Sequence, residues 1–327
     1  MSKKKTIGII IAVLLIAAGG SYPFYSDLLR GSDEDFSVDF PSIEAPSGHP
    51  DFELAASNLP SNNKMMVYKV EKPVVTIDSV QQIGGKLGFE GSAGYIDGGE
   101  KIAMLDAGAE EVRHLSVFTE SGAVEYLTVY PDKLYPSEPP NLPSEEEARQ
   151  IAIDFLAQSG LLPADAKVGD SYEADVVTGG TCGIVEDGGE TEPEVTKGYV
   201  AHLLVRFHRQ IDGFPVTGIG DNFGVRIGDE GEVITALKVW RAVTPYNEVI
   251  INTPERAYEE LKSGLGSYYA PLDCEKVVVE QVYLAYWMER LDQDQEYVVP
   301  VYEFKGKCLD EDGEYIEDFV GWCEAVE

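Results

Sequence analysis

Basic residues are the scarce class in this sequence. Lys and Arg number 25 against 58 Asp and Glu, a formal net charge of −33. A surface of that sign repels nucleic-acid phosphates, and no basic patch offsets it, so nucleic acid is excluded as a partner. Docking on anionic lipid is disfavoured for the same reason. Cations, basic proteins or a salty medium suit such a field, and the plainest reading of it is a solubility surface.

Histidine and cysteine are also few, four of each. There is no H-E-x-x-H, no G-x-x-x-x-G-K-[ST] and no G-x-S-x-G, so the common zinc-protease, P-loop and nucleophile-elbow signatures are missing. His202 and His208 stand an even number apart on one expected strand and so face one side. With Asp212 or Glu232 they come nearest to a metal set, but six residues of strand span ~20 Å, too far for one ion. Satisfied or exposed strand histidines are the better reading. The cysteines, Cys182, Cys274, Cys308 and Cys323, contain no C-x-x-C and cannot make a zinc ribbon. In an oxidising compartment they allow two disulfides. If residues 276–287 pair with 297–308 around a turn, Cys274 and Cys308 meet at one sheet end, which leaves Cys182 for Cys323.

What is present begins at the N-terminus. Lys3, Lys4 and Lys5 precede an uncharged run from Thr6 to Ser26. Residues 7–25 just reach the ~20 residues a membrane-spanning helix needs. Lysines before it and Asp33-Glu34-Asp35 after it orient the tail to the cytoplasm and the rest outside. A cleaved signal peptide ending near Ala18-Gly19-Gly20 is the alternative, and span length favours the anchor. The expected organisation is therefore tail and anchor (1–30), an acidic Ser/Pro linker (31–64), and three modules at 65–136, 137–251 and 252–327. The second module carries an acidic insertion near 178–197.

The modules rest on three helix signals, each followed by strand patterns. One runs from about Asp78-Ser79 to Leu87, with Gln81 and Gln82 placed for a capping box and Gly84-Gly85 weakening it. In the second, Ser144 caps, Glu147 completes a box, and Ala148, Ile151, Ala152, Phe155 and Leu156 form one apolar stripe ending at Gly160. The third has Thr253 as cap, Pro254 at the first position and Gly264 at the end. The expected fold class is α+β: a transmembrane helix, then tandem modules, each a helix packed on its own antiparallel sheet.

Two acidic loops, Asp292–Glu296 and Asp310–Glu314, resemble cation-binding loops without completing the EF-hand spacing. Weak divalent-cation binding is all they support, and Asp-Gly before a strand more often marks a hairpin. The stretch "GIGDNFG" sets Gly218, Gly220 and Gly224 one residue too wide for a dinucleotide fingerprint and before a strand, so its glycines are read as geometric.

The same region carries a resemblance. "LLVRFHRQIDGFPVTGIGDNFGVRIGDEGEVITALKVW", Leu203 to Trp240, resembles the PepSY domain and the related propeptide of thermolysin- and fungalysin-type proteases. The shared pattern is a strand, an x-G-x-P-V-x-G turn, an amphipathic strand, a D-x-x-G hairpin and a final strand ending near Trp. Gly213, Pro215, Gly218, Asp229 and Gly231 would be its structural turn residues. "YLAYWMERLDQDQEYVVPVYEFKG" resembles the ending of PepSY-like extracytoplasmic regulators. The resemblance implies a non-catalytic role, inhibiting or chaperoning proteases or tuning membrane kinases, with no cofactor and no catalytic or metal residues. No protease domain follows, so a propeptide role in cis does not carry over. The expected function is a membrane-tethered, extracytoplasmic protein-binding or regulatory protein. A cation-holding structural envelope protein and a secreted hydrolase without a recognisable motif are the alternatives.

Overall fold

The computed structural model describes residues 50–107, 112–128, 133, 136, 138–166, 178–179 and 199–327. The expected membrane segment, most of the acidic linker and nearly all of the insertion, with Cys182, lie outside the described residues. Among the described residues no helix is long and apolar enough to cross a membrane.

In chain order the strands are β1 Asp51–Leu54, β2 Lys64–Val70, β3 Gly94–Ile96, β4 Lys101–Ala107, β5 Val112–Phe118, β6 Val124–Thr128, β7 Thr178–Gly179, β8 Tyr199–Val200, β9 Leu203–Arg206 and β10 Gln210–Ile211. They continue with β11 Phe214–Thr217, β12 Phe223–Ile227, β13 Val233–Lys238, β14 Val243–Ile250, β15 Ser267–Tyr269, β16 Lys276–Trp287, β17 Tyr297–Val298, β18 Pro300–Leu309 and β19 Tyr315–Glu324. The helices among the described residues are α1 Ile77–Lys86, α2 Glu145–Ser159 and α3 Pro254–Lys262.

The helix ends follow from their caps. In α2 the Glu147 amide donates to Ser144 Oγ and the Glu147 carboxylate accepts from the Ser144 amide, a closed capping box. Ala148, Ala152 and Leu156 bury one stripe, and Gly160 stops the helix at φ 77°. α3 starts on Thr253 with Pro254 in its first turn. α1 starts earlier than the sequence suggests, because Thr76 rather than Ser79 is the cap and Ser79 closes the box instead of Gln82. Gly84 is there for proximity: a Cβ would overlap Met104 Sδ on β4, so the glycine that weakens the helix lets it approach the sheet.

The tandem-module expectation is overturned. The described chain is mostly β, and its sheets draw strands from all the expected modules. The first large sheet runs β3-β4-β5-β6-β13-β12-β9, antiparallel throughout. Both α1 and α2 lie on this one sheet, with Val80, Ala148, Ala152 and Leu156 packed among Ile102, Leu115, Val225 and Ile227. The second runs β10-β11-β16-β18-β19-β15, and β1, from the expected linker, pairs in parallel with the start of β16. α3 packs here through Ala257, Tyr258 and Leu261 against Phe319 and Cys323. A small sheet, β14-β2-β17, takes one strand from each expected module. Alternation assigns each strand a face but not a partner, so several pairings satisfy the same pattern.

Candidate functional site

The structure of the region Leu203–Trp240 explains why the modules interleave. β10 and β11 join a two-residue loop, Ile211 pairing with Phe214. Asp212 (φ 52°) and Gly213 (φ 83°) both take left-handed geometry, which matches a tight hairpin of the Asp-Gly type. Pro215 is not in the turn, as expected from sequence, but inside β11 opposite Gln210. β11 then joins the second sheet, running parallel to β16. Five residues later β12 is in the first sheet. The residues between, Gly218–Asn222, cross from one sheet to the other.

That crossover is held tightly. Gly218 (φ 99°) lies against the Trp287 ring, where a Cβ would sit 2.8 Å from a ring carbon. The Gly220 amide donates to the Met288 carbonyl at 2.9 Å, and any Cβ on Gly220 would overlap the Glu289 carbonyl oxygen. Downstream, Asp229 and Gly231 form a turn with Glu230 at φ 53°. Its tip docks on the lead-in to α2, where the Asn141 amide donates to Asp229 Oδ1 at 2.7 Å.

Beneath the crossover sits a polar cluster. Thr217 Oγ1 lies 2.6 Å from Glu303 Oε1 and 3.0 Å from Trp322 Nε1. An indole nitrogen only donates, so the Thr217 hydroxyl accepts from Trp322 and gives its own proton to Glu303. Glu303, only 7% exposed, is thus the acceptor, and its other oxygen pairs with Lys305 at 3.2 Å. Asp221, half-buried on the crossover, is pushed up to about 7 by burial and then by the nearby Glu303 charge, with Arg206 and Lys305 pulling the other way. A carboxyl raised towards neutrality near a second, buried carboxyl is a pattern shared with acid–base sites.

None of these four residues stands out by motif. The one signal for Asp221 is an acid placed inside a glycine-spaced crossing. Glu303 looks like any strand acid until its neighbours are known.

The other sequence candidates are dispersed. His202 is 6% exposed and both its ring nitrogens lack a partner, while His208 is exposed. Burial, then Arg226, drives His202 down to about 4, so it is neutral. Asp310 spends its carboxylate on the amides of Asp312 and Glu314 at 3.0 and 2.8 Å, and Asp292 and Asp294 pair with Arg290 and Lys72. Among the described residues no group of three His, Cys, Asp or Glu gathers to hold a metal.

The expected disulfides are corrected. Cys274, Cys308 and Cys323 are buried free thiols. Cys274 and Cys308 do share a sheet end and hydrogen-bond each other, but without a bond between them. Burial raises both thiols, Cys308 strongly, which disfavours the reactive thiolate. Cys323, pushed by burial to about 12, faces Glu260 Oε2 at 3.8 Å rather than another cysteine.

No family model matches the chain, and no curated protein matches it. Among solved structures it is similar to an uncharacterized protein from Eubacterium rectale. The identity is 10% and the TM-score 0.39, over 85% of this chain and 88% of that one.

Proposed function

We propose that this chain is a non-catalytic, membrane-tethered protein of the cell envelope that binds another protein, in the manner of PepSY-like inhibitors or sensor modulators. Electrostatics carries the reading. With 58 acids against 25 bases, the chain carries a formal net charge of −33, and a field of that sign favours a cationic partner. The N-terminal lysines and apolar run support the tether, and the Leu203–Trp240 pattern supports the regulator class.

Contact through a broad face fits better than strand addition. Among the described residues β3 and β15, at the ends of the two large sheets, are three residues long, and β14 carries Pro245 and an irregularity beside it. Short strands, proline and bulges are the usual ways an edge is closed to pairing. The test is capture from membranes with the detergent-solubilised full chain across a salt series. A basic partner should be released progressively as salt rises past the point where surface charges are screened. Recovery of nothing across repeats, or a partner indifferent to salt, would overturn the reading. Alkaline extraction of intact membranes tests the tether, since a spanning helix should stay in the pellet.

One feature favours a second reading, a hydrolase: burial and the nearby Glu303 raise Asp221 to about 7, in the range of a general acid. Turnover on a hydrolase panel that disappears in Asp221→Asn would establish it.

A further inference from the structure

Three adjacent strands of the second large sheet, β16, β18 and β19, carry a hollow of about 370 Å³. It opens on the face away from the core, into which the same strands turn Val279, Val282, Phe304 and Phe319. We propose that the hollow binds a neutral, hydroxyl-rich ligand, a stretch of oligosaccharide. This inference does not rest on the protein-binding reading.

A break in the ladder shapes the hollow. The register of β16 against β18 shifts between Val279 and Gln281, so Glu280 is the extra residue of a bulge. Strict alternation would turn either Glu280 or Gln281 inward, but the bulge leaves both exposed at the rim. Gly306, opposite Val279, lines the hollow without a side chain, and a Cβ there would overlap the Val278 carbonyl oxygen. Across the strands Gln281 stands opposite Lys305, and Lys307 opposite Asp318.

The walls select the ligand. Two ammonium groups, Lys305 and Lys307, face two carboxylates, Glu280 and Asp318. Lys307 pairs with Glu280 at 2.8 Å, and Lys305 with buried Glu303 at 3.2 Å. An anion would add to a net charge of −33 and lie against both carboxylates, while a cation would lie against both ammonium groups. A hydroxyl meets neither penalty. It accepts from an ammonium and donates to a carboxylate at once, so neighbouring hydroxyls of a sugar ring match the alternation of Lys with Glu or Asp. Tyr283, two residues beyond Gln281 on β16, is 39% exposed, and Lys305 Nζ lies 5.8 Å from its ring centre. The negative face of that ring suits the C–H groups of a sugar. The volume lies at the lower end of the ~300–1,000 Å³ typical of small-molecule sites, which fits part of a chain.

Saturation-transfer NMR tests the site on the full chain, held in a detergent without a sugar head group. The probes are neutral disaccharides of glucose, mannose, galactose and N-acetylglucosamine. At least one should bind. Asp318→Ala and Tyr283→Ala, both at exposed positions, should each weaken it about tenfold or more, while Lys64→Ala on the small sheet should leave it unchanged. Amide shifts of the labelled parent protein need no variant, and those moved by the sugar should fall within 280–283, 305–307 and 318–320. Binding of no neutral sugar, shifts that map elsewhere, or affinity unchanged in both hollow variants overturns the proposal. Tighter binding of glutamate, triglycine or a lysine-rich peptide than of any sugar also overturns it, because the hollow then selects a charged ligand.

Discussion

At the scale of single residues, the most consequential side chains are charged groups placed where water is scarce. Arg241 is 3% exposed and donates to the carbonyls of Glu289 (2.7 Å), Arg290 (2.6 Å) and Gln293 (2.9 Å). Burial brings it down to about 10, so it stays charged at neutral pH, supported by Glu289, Asp294 and Asp292. Arg241→Met leaves three carbonyls of the β16–β17 loop without their donor and should cost about 3 kcal/mol in chemical denaturation. Arg241→Lys should recover only part, because an ammonium cannot reproduce the planar fork. His202 gives a pH signature of opposite origin. Its folded-state value, about 4, lies below the ordinary histidine value of 6.5, so the unfolded chain takes the proton more readily. Stability that is full above about pH 6.5 is lost as pH falls towards 4, by up to about 3 kcal/mol through this one group. Denaturation midpoints at pH 7 and pH 4 should converge in His202→Phe relative to the parent. Asp221 runs the other way. Its folded-state value is raised to about 7, so its cost appears as pH rises from about 4 through 7, and Asp221→Asn should stabilise the chain at pH 8 but hardly at pH 4.

At the scale of elements, helices were legible and sheets only partly so. A helix end is a local event, settled by one hydroxyl and one amide three residues on. Ser144–Glu147 and Thr253 therefore act where the sequence places them, and Ser144→Ala should cost about 1 kcal/mol, measurable by denaturation. Even the misplaced start of α1 was a choice between two neighbouring hydroxyls. The turns were legible only in part: Asp229–Gly231 turns the chain where expected, whereas the expected Gly213–Pro215 turn is the Asp212-Gly213 pair, with Pro215 inside β11. Gly213→Ala forces a Cβ into φ 83° and should cost about 1 kcal/mol. The candidate site was not legible. Thr217, Asp221, Glu303 and Trp322 come from β11, the crossover, β18 and β19, and nothing local links them.

At the scale of the whole molecule, the interleaving of strands has a thermodynamic consequence. Every described residue belongs to the compact unit Phe36–Glu327. β2, expected to open one module, is paired instead with β14 and β17 of the other two. Residues 65–136 or 137–251 expressed alone should therefore be unfolded by circular dichroism and exchange. The full chain should lose tertiary signals from Trp240, packed on the core of the first large sheet, and Trp322, on β19 of the second, in one transition. Independent folding of either segment would show that the sheets do not depend on strands from elsewhere.

Composition, caps and turns were determined by the sequence alone. These include the acidic field, the three described helices, the left-handed stops at Gly160 and Gly264, and the geometric use of glycine near Gly218. Each depends on residues within a few positions or on a sum over the chain. Only the tertiary structure decided which strands pair, that three cysteines stay as thiols, and that Thr217 of β11 bonds Glu303 of β18. Those outcomes depend on contacts between residues far apart in sequence, where period-two patterning is silent about partners.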